Sequence, residues 1–550
     1  MSSTEITAPQ ADPGILDRAR IIAQPGFNRW LVPPAALAIH LCIGMAYGLS
    51  VFWLPMQKII GTACPASMGE LAQLTTTDCD WSEGSLVTAF KLGIVFLGIS
   101  AAIWGGWLER VGPHRAGVVA ALCWSGGWLI SALGIYQHQL WLIWLGLGVI
   151  GGIGLGIGYI SPVSTLIKWF PDRRGMATGM AIMGFGGGAV VGSPLALMLL
   201  QHFRVVDPAT HVITQHGLWQ TFTVMGLIYL VFMLGGAFAY RIPPDGWRPD
   251  GFNGTAATKR MIAQGHVHLG RAWKTPQFWL LWAVLMLNVS AGIAVLSIAS
   301  PMLQRIFGGA LIDQPGVTLA NLSLAQKTAV AGVAGGFVSL LSLFNIGGRF
   351  FWATISDKIG RKLTYTIFFI LGAVLYTLTP VAAHAGHKAL FVLAFCLILS
   401  MYGGGFATIP AYLADIFGTR FVGAIHGRLL TAWSTAGVVG PTLVTVLPAM
   451  FGSSDPVHLY DTTFHILAGL LILGLIANWL VRPLPAYAFM SEAELASLQV
   501  DGTKGSYATG SFGIGVGGFS AALILPWLIV GLPIAWGIWK TIIKAAPLFN

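Results

Sequence analysis

The sequence predicts an all-α polytopic membrane protein: two six-helix bundles related by tandem duplication, followed by a thirteenth transmembrane helix. Three observations predict it. Only 9% of the 550 residues are charged and 55% are hydrophobic, and the mean hydropathy of +0.75 belongs to a chain that lies mostly within a bilayer. Apolar runs long enough to span a membrane recur along nearly the whole length. Landmarks of the first half also return in the second: Gly112 and Gly360, Gly179 and Gly427, Gly192 and Gly440, and the acids Glu109 and Asp357 are each 248 residues apart. Such register marks a duplicated unit, and proteins built this way are usually transporters with their site midway between the halves.

The elements follow in order. Residues 1–29 are charged and hold no apolar core ending in a small-residue cleavage site, so they read as an intracellular tail, and the first apolar helix is expected to be retained. Spans near 31–56, 82–107, 116–135, 140–167, 176–200 and 217–240 make an N-terminal bundle over 30–240. Residues 241–275, with Pro243, Pro244, Pro249 and six basic residues, read as an intracellular linker. Spans near 276–302, 328–355, 363–383, 388–414, 424–448 and 461–481 make a C-terminal bundle over 276–482. A polar intracellular segment, 483–518, precedes the thirteenth helix at 519–545, where Pro526 and Pro533 predict kinks and Lys540 and Lys544 fall outside.

With the N-terminus inside, 21 of the 30 Lys and Arg are intracellular, seven are outside, and two, Lys91 and Arg349, lie in helices. That split is the positive-inside rule. It predicts a multi-pass protein of the cell membrane with a cytoplasmic N-terminus, and it accounts for the net charge of +10 without nucleic acid as a partner. Cys42, Cys123 and Cys396 fall in apolar helices as packing residues. Cys64 and Cys79 share the first outer loop, where a disulfide and two free thiols both stand open.

Arg349 is the residue that asks for a function. It lies eight residues before the charged helix end at Asp357, which is roughly 12 Å inside the membrane face. A guanidinium at that depth keeps its proton and must face protein, a cavity or an anion. An anion site is the default reading, and a structural arginine tied to helix carbonyls is the plain one. One repeat length earlier stands Ala101, so the cation is not part of the shared scaffold.

Gly105 to His114 (GGWLERVGPH) and Ala353 to Lys362 (ATISDKIGRK) resemble the signature Gly-x-Leu-Ala-Asp-Arg-x-Gly-Arg-Lys of the major facilitator superfamily, the second copy more closely. The first copy has Glu109 for Asp and Pro113-His114 for the basic pair. The resemblance implies the major facilitator fold. It also makes these turns an intracellular latch of acids at helix ends with bases across from them, the candidate gating residues being Glu109, Arg110, Asp357, Lys358, Arg361 and Asp415.

Trp169 to Gly175 (WFPDRRG), Lys274 to Trp279 (KTPQFW), Phe344 to Arg361 and Asp415 to Thr419 (DIFGT) are similar to the oxalate/formate antiporter family over most of residues 28–485, and more distantly to the monocarboxylate transporters. The resemblance implies that Arg349 binds a substrate carboxylate. It also implies that a second cation, a lysine of helix 11 in the oxalate transporters, is replaced here by Trp433. Lys91, at similar depth in helix 2, becomes the candidate second cation, against the alternative that it snorkels to the outer face. Tyr47, Phe52, Tyr159, Phe185, Tyr402 and Phe406 match positions that line the cavity in that family. Asn345 stands where the monocarboxylate transporters place an aspartate, one turn before the arginine.

The implied function is a secondary transporter of small organic carboxylates, working by alternating access and as a monomer, with no cofactor. Exchange of the oxalate/formate type is favoured because an empty cationic cavity is costly to move across the membrane. Every Asp and Glu can be placed in tails, loops or helix ends, which leaves His40 as the candidate proton site; a hydrogen-bonded core histidine is its plainer reading. A proton-coupled lactate or pyruvate symporter is the alternative, and a membrane carboxylate sensor is one of another class. No residue spacing marks a metal site, a catalytic triad or an acid pair at depth, so no enzyme is expected. The run GGIGLGIG (Gly151 to Gly158) lacks the lysine of a phosphate loop and reads as close helix packing.

Overall fold

A computed structural model of the chain describes residues 14–65, 67–206, 213–244, 247–249, 263, 265–451, 455–495, 521–545 and 548. The first thirteen residues of the predicted tail, about half of the linker and positions 496–518 of the polar segment lie outside the described residues.

Thirteen helices among the described residues are long and apolar enough to span: α1 Arg29–Leu49, α2 Gly84–Val111, α3 Pro113–Tyr136, α4 Leu140–Trp169, α5 Arg174–Phe203, α6 Leu218–Ala239, α7 Pro276–Leu296, α8 Gly336–Ile359, α9 Arg361–His384, α10 Lys388–Phe417, α11 Val422–Pro448, α12 Asp461–Leu480 and α13 Leu523–Ile543. Helical structure extends α7 to Phe307 and starts α8 at Leu324, where Ser323 and Gln326 form a capping box. In the loop between α1 and α2 a disulfide joins Cys64 to Cys79.

The halves meet along two seams, α2 against α11 and α5 against α8. Glycine sets how close they come. A Cβ on Gly179 of α5 would stand 2.8 Å from the Arg349 carbonyl oxygen, and one on Gly427 of α11 would stand 2.1 Å from that of Ala101. This repeated pair, Gly179 and Gly427, therefore marks crossing points at which helix backbones touch across the interface. The thirteenth helix runs continuously through Pro526 and Pro533 and packs on α1, α5 and α8. Trp527 Nε1 donates to the Trp30 carbonyl at 3.2 Å, Val530 is buried with Leu37 and Ala38, and Gly537 lies against Val190.

Candidate functional site

Close helix crossings also place Arg349. A Cβ on Gly348 would fall 2.0 Å from the Ser400 carbonyl, and one on Gly403 would fall 2.2 Å from that of Asn345, so α8 and α10 touch along this line and bring Tyr402 and Phe406 beside the arginine. Its side chain is fully buried. Nε donates to Asn345 Oδ1 at 3.1 Å and Nη1 donates to the Ile182 carbonyl of α5 at 3.2 Å. The guanidinium lies 5.6 Å from the Phe185 ring centroid and 5.4 Å from that of Phe406. Nη2 has no hydrogen-bond partner among the described residues. A buried charged donor left unmade costs about 1–3 kcal/mol or more, and a carboxylate oxygen is the partner that would remove that cost.

Rings from both halves surround this free donor. Trp433 of α11 lies 4.6 Å from Phe406, 5.4 Å from Phe185 and 5.5 Å from Tyr159, centroid to centroid. Tyr47 of α1 meets Phe185 edge-on at 5.0 Å, and its hydroxyl lies 3.3 Å from that of Tyr402 across the interface. The Tyr159 hydroxyl and Trp433 Nε1 are buried without hydrogen-bond partners among the described residues. Two local irregularities aim these side chains. α1 tightens into a 3-10 stretch over Gly44–Phe52, where Gly44 sits against the Phe185 backbone, and α11 is broken at Leu430 between Val422–Leu429 and Thr431–Phe451. Broken helices beside a central site are typical of transporters.

Two predicted site residues are elsewhere. Phe52 packs 4.7 Å from Phe222 and 5.9 Å from Trp128, inside the N-terminal bundle, because the tightened end of α1 turns it away from the interface. Lys91 is exposed. It continues the stripe through Ile94 and Gly98 that faces α11, about one turn beyond Ile94 toward the end of that seam away from the latches, outside the cage of rings around Arg349. His40 is fully buried; its Nδ1 lies 2.5 Å from the Ala181 carbonyl oxygen and its Nε2 3.2 Å from that of Tyr159. His426 of α11, which the sequence did not single out, is also buried, 5.8 Å from the Tyr159 ring, with neither nitrogen partnered among the described residues.

On the face bearing the N-terminal segment the halves are latched. Asp357, at the end of α8, accepts from the Gly175 and Met176 backbone N–H groups at 2.8 and 2.9 Å, capping α5 of the other half. Glu109, at the end of α2, accepts from the Gly423 N–H of α11 at 3.1 Å, and from Ser164 at 3.0 Å and Lys168 at 2.7 Å within its own half. Arg174 reaches across to Asp415 at 3.0 Å, and Arg361 ties Asp357 and Asp415 together at 2.6 and 3.1 Å. The expectation that bases answer the acids across the interface holds at Asp415, which Arg174 reaches, and is corrected at Glu109 and Asp357, which helix N-termini answer; Arg110 and Lys358 are exposed outside the network.

The sequence profile of the Major Facilitator Superfamily matches residues 36–339 and 315–549. The chain belongs to the Major Facilitator Superfamily. It is thus a multi-pass membrane transporter, and the paired latches are this superfamily's repeated turns. The chain is 27% identical to an oxalate:formate antiporter of Oxalobacter formigenes over 427 residues, 77% of this chain and 86% of that protein. It is 24% identical to apicoplast pyruvate carrier 1 of Toxoplasma gondii over 450 residues, 71% of this chain and 78% of the carrier. Among solved structures, a Major Facilitator Superfamily transporter, FucP, in the outward conformation superposes with a TM-score of 0.56 at 16% identity, covering 83% of this chain and all of FucP.

Proposed function

We propose that the protein carries small organic carboxylates across the cell membrane by alternating access, as a monomer exchanging one anion for another, with its N-terminus in the cytoplasm. The observation that carries this reading is the unpartnered Nη2 of Arg349, fully buried and ringed by Phe185, Phe406, Trp433 and the Tyr47–Tyr402 pair from both halves. A carboxylate placed there meets a guanidinium edge, the free Tyr159 hydroxyl and the free indole N–H, with ring faces for its carbon skeleton. Crossing loaded then costs less than crossing empty, which is the condition for exchange. Resemblance to an oxalate:formate antiporter and to a pyruvate carrier supports the substrate class. The test is counterflow in proteoliposomes with labelled oxalate, formate, lactate and pyruvate. Internal carboxylate should accelerate uptake strongly; uptake that ignores the internal anion refutes exchange.

One observation favours a second reading, proton-coupled transport. Both nitrogens of His40 face carbonyl oxygens, and a neutral imidazole has one N–H to offer where imidazolium has two. In that case an imposed pH gradient alone drives accumulation into empty vesicles, and His40→Ala abolishes that drive while sparing counterflow.

A further inference from the structure

We infer that His384, His458 and Asp461 form a binding site for a divalent transition metal, with zinc the fitting ion, on the face opposite the N-terminal segment. His384 is the last residue of α9, His458 lies in the turn that precedes α12, and Asp461 opens α12, so residues 77 positions apart in the chain converge. His384 Nε2 is 3.0 and 3.2 Å from the two Asp461 carboxylate oxygens, and His458 Nδ1 is 2.9 Å from one of them. The two imidazole rings are 4.1 Å apart, centroid to centroid, and all three donor atoms lie within 4.8 Å of one another.

Those separations fit a metal with little movement. A tetrahedral zinc with bonds of about 2.0–2.2 Å holds its ligands about 3.3 Å apart, close to the nitrogen–oxygen distances already present. Two imidazoles and one carboxylate make a borderline donor set, which suits zinc and its first-row neighbours and disfavours calcium and magnesium. The side chains of His384, His458 and Asp461 are 36%, 47% and 25% exposed, which leaves an approach for the ion and room for a water as fourth ligand. Hydrogen bonds from the imidazoles to the shared carboxylate orient all three groups toward one another. Neighbouring His465 turns away, its Nδ1 2.8 Å from the Asp461 backbone oxygen. Because α9 and α12 pack together within the C-terminal half, bound metal would brace that half without tying it to the other.

The experiment is calorimetric titration of ZnCl2 into the full-length, tag-free protein after chelator treatment, with a parallel CoCl2 titration read by visible absorption. One equivalent should bind, cobalt should give the intense absorption of a four-coordinate site, and thermal unfolding should shift upward with zinc. Asp461→Asn and His384→Gln should each weaken binding by on the order of a hundredfold or more, beyond the loss of a mere outer-shell partner, whereas His465→Gln should keep it. Monodisperse elution of each variant guards against misfolding. Absence of a saturable equivalent in the wild-type chain, or equal binding by Asp461→Asn and His384→Gln, overturns the site.

Discussion

The two halves cross each other twice with matching backbone geometry and different side chains. At one seam Gly179 meets the carbonyl of Arg349 and Asp357 caps α5 at Gly175. At the other, one repeat length away in every case, Gly427 meets the carbonyl of Ala101 and Glu109 caps α11 at Gly423. What duplication has kept is the machinery of approach and separation, glycine contacts and acid-capped helix ends. What it has not kept is the charge: a guanidinium on α8 answers a methyl group on α2. Phe185 and Trp433 are also repeat partners, and they meet edge-on over the interface at 5.4 Å. On the proposed function, the shared backbone contacts serve the movement of the halves and the unshared charge serves the cargo, while the ring pair shows that symmetric positions also line the site.

That division can be broken experimentally, and the largest effect is expected at Arg349. Arg349→Gln should lower counterflow on the order of a hundredfold or more, because charge and bidentate geometry are both lost; Arg349→Lys should restore only part, and Ala101→Ser should leave transport nearly intact. Normal size-exclusion profiles must accompany the loss. Next comes the glycine crossing. Gly427→Ala puts a methyl carbon against the Ala101 carbonyl and should disfavour the closed N-terminal face by about 1–3 kcal/mol, read as increased thiol labelling of cysteines engineered at that face.

The latches should rank below this and unequally. Asp357→Asn weakens two backbone caps across the interface and should shift the open–closed balance by about 1–2 kcal/mol. Glu109→Gln weakens one, with Ser164 and Lys168 still holding the side chain in its own half, and should shift it less; spin-label distance distributions between the halves report both, and a larger effect at Glu109 would refute the ranking. The smallest effect belongs to Lys91→Gln. Affinities for mono- and dicarboxylates should both stay within about twofold, while the salt dependence of uptake flattens, since an exposed cation at the mouth steers rather than holds.

Much of this organisation was legible in the chain. Helix spans, the repeat and the buried arginine follow from hydropathy, spacing and the cost of charge in lipid. Phe52 was misassigned because sequence position does not reveal that α1 tightens after Gly44 and rotates its last residues. Lys91 was misassigned because depth along a helix says nothing of which neighbours still touch it. Backbone amides have no sequence signature, so the true partners of Glu109 and Asp357 were invisible, as was His426, an ordinary residue until α11 is set against Tyr159. The Cys64–Cys79 pairing, open in the sequence, is made in the structure.

The thirteenth helix has a consequence for traffic within the bilayer itself. Lying over α1, α5 and α8, it shields one flank of the central cage from the acyl chains, while among the described residues no extra helix lies over the α2–α11 seam. A fatty acid or amphiphilic inhibitor that dissolves first in the membrane therefore meets α13 before it meets the α5–α8 seam, whereas it meets the α2–α11 seam directly.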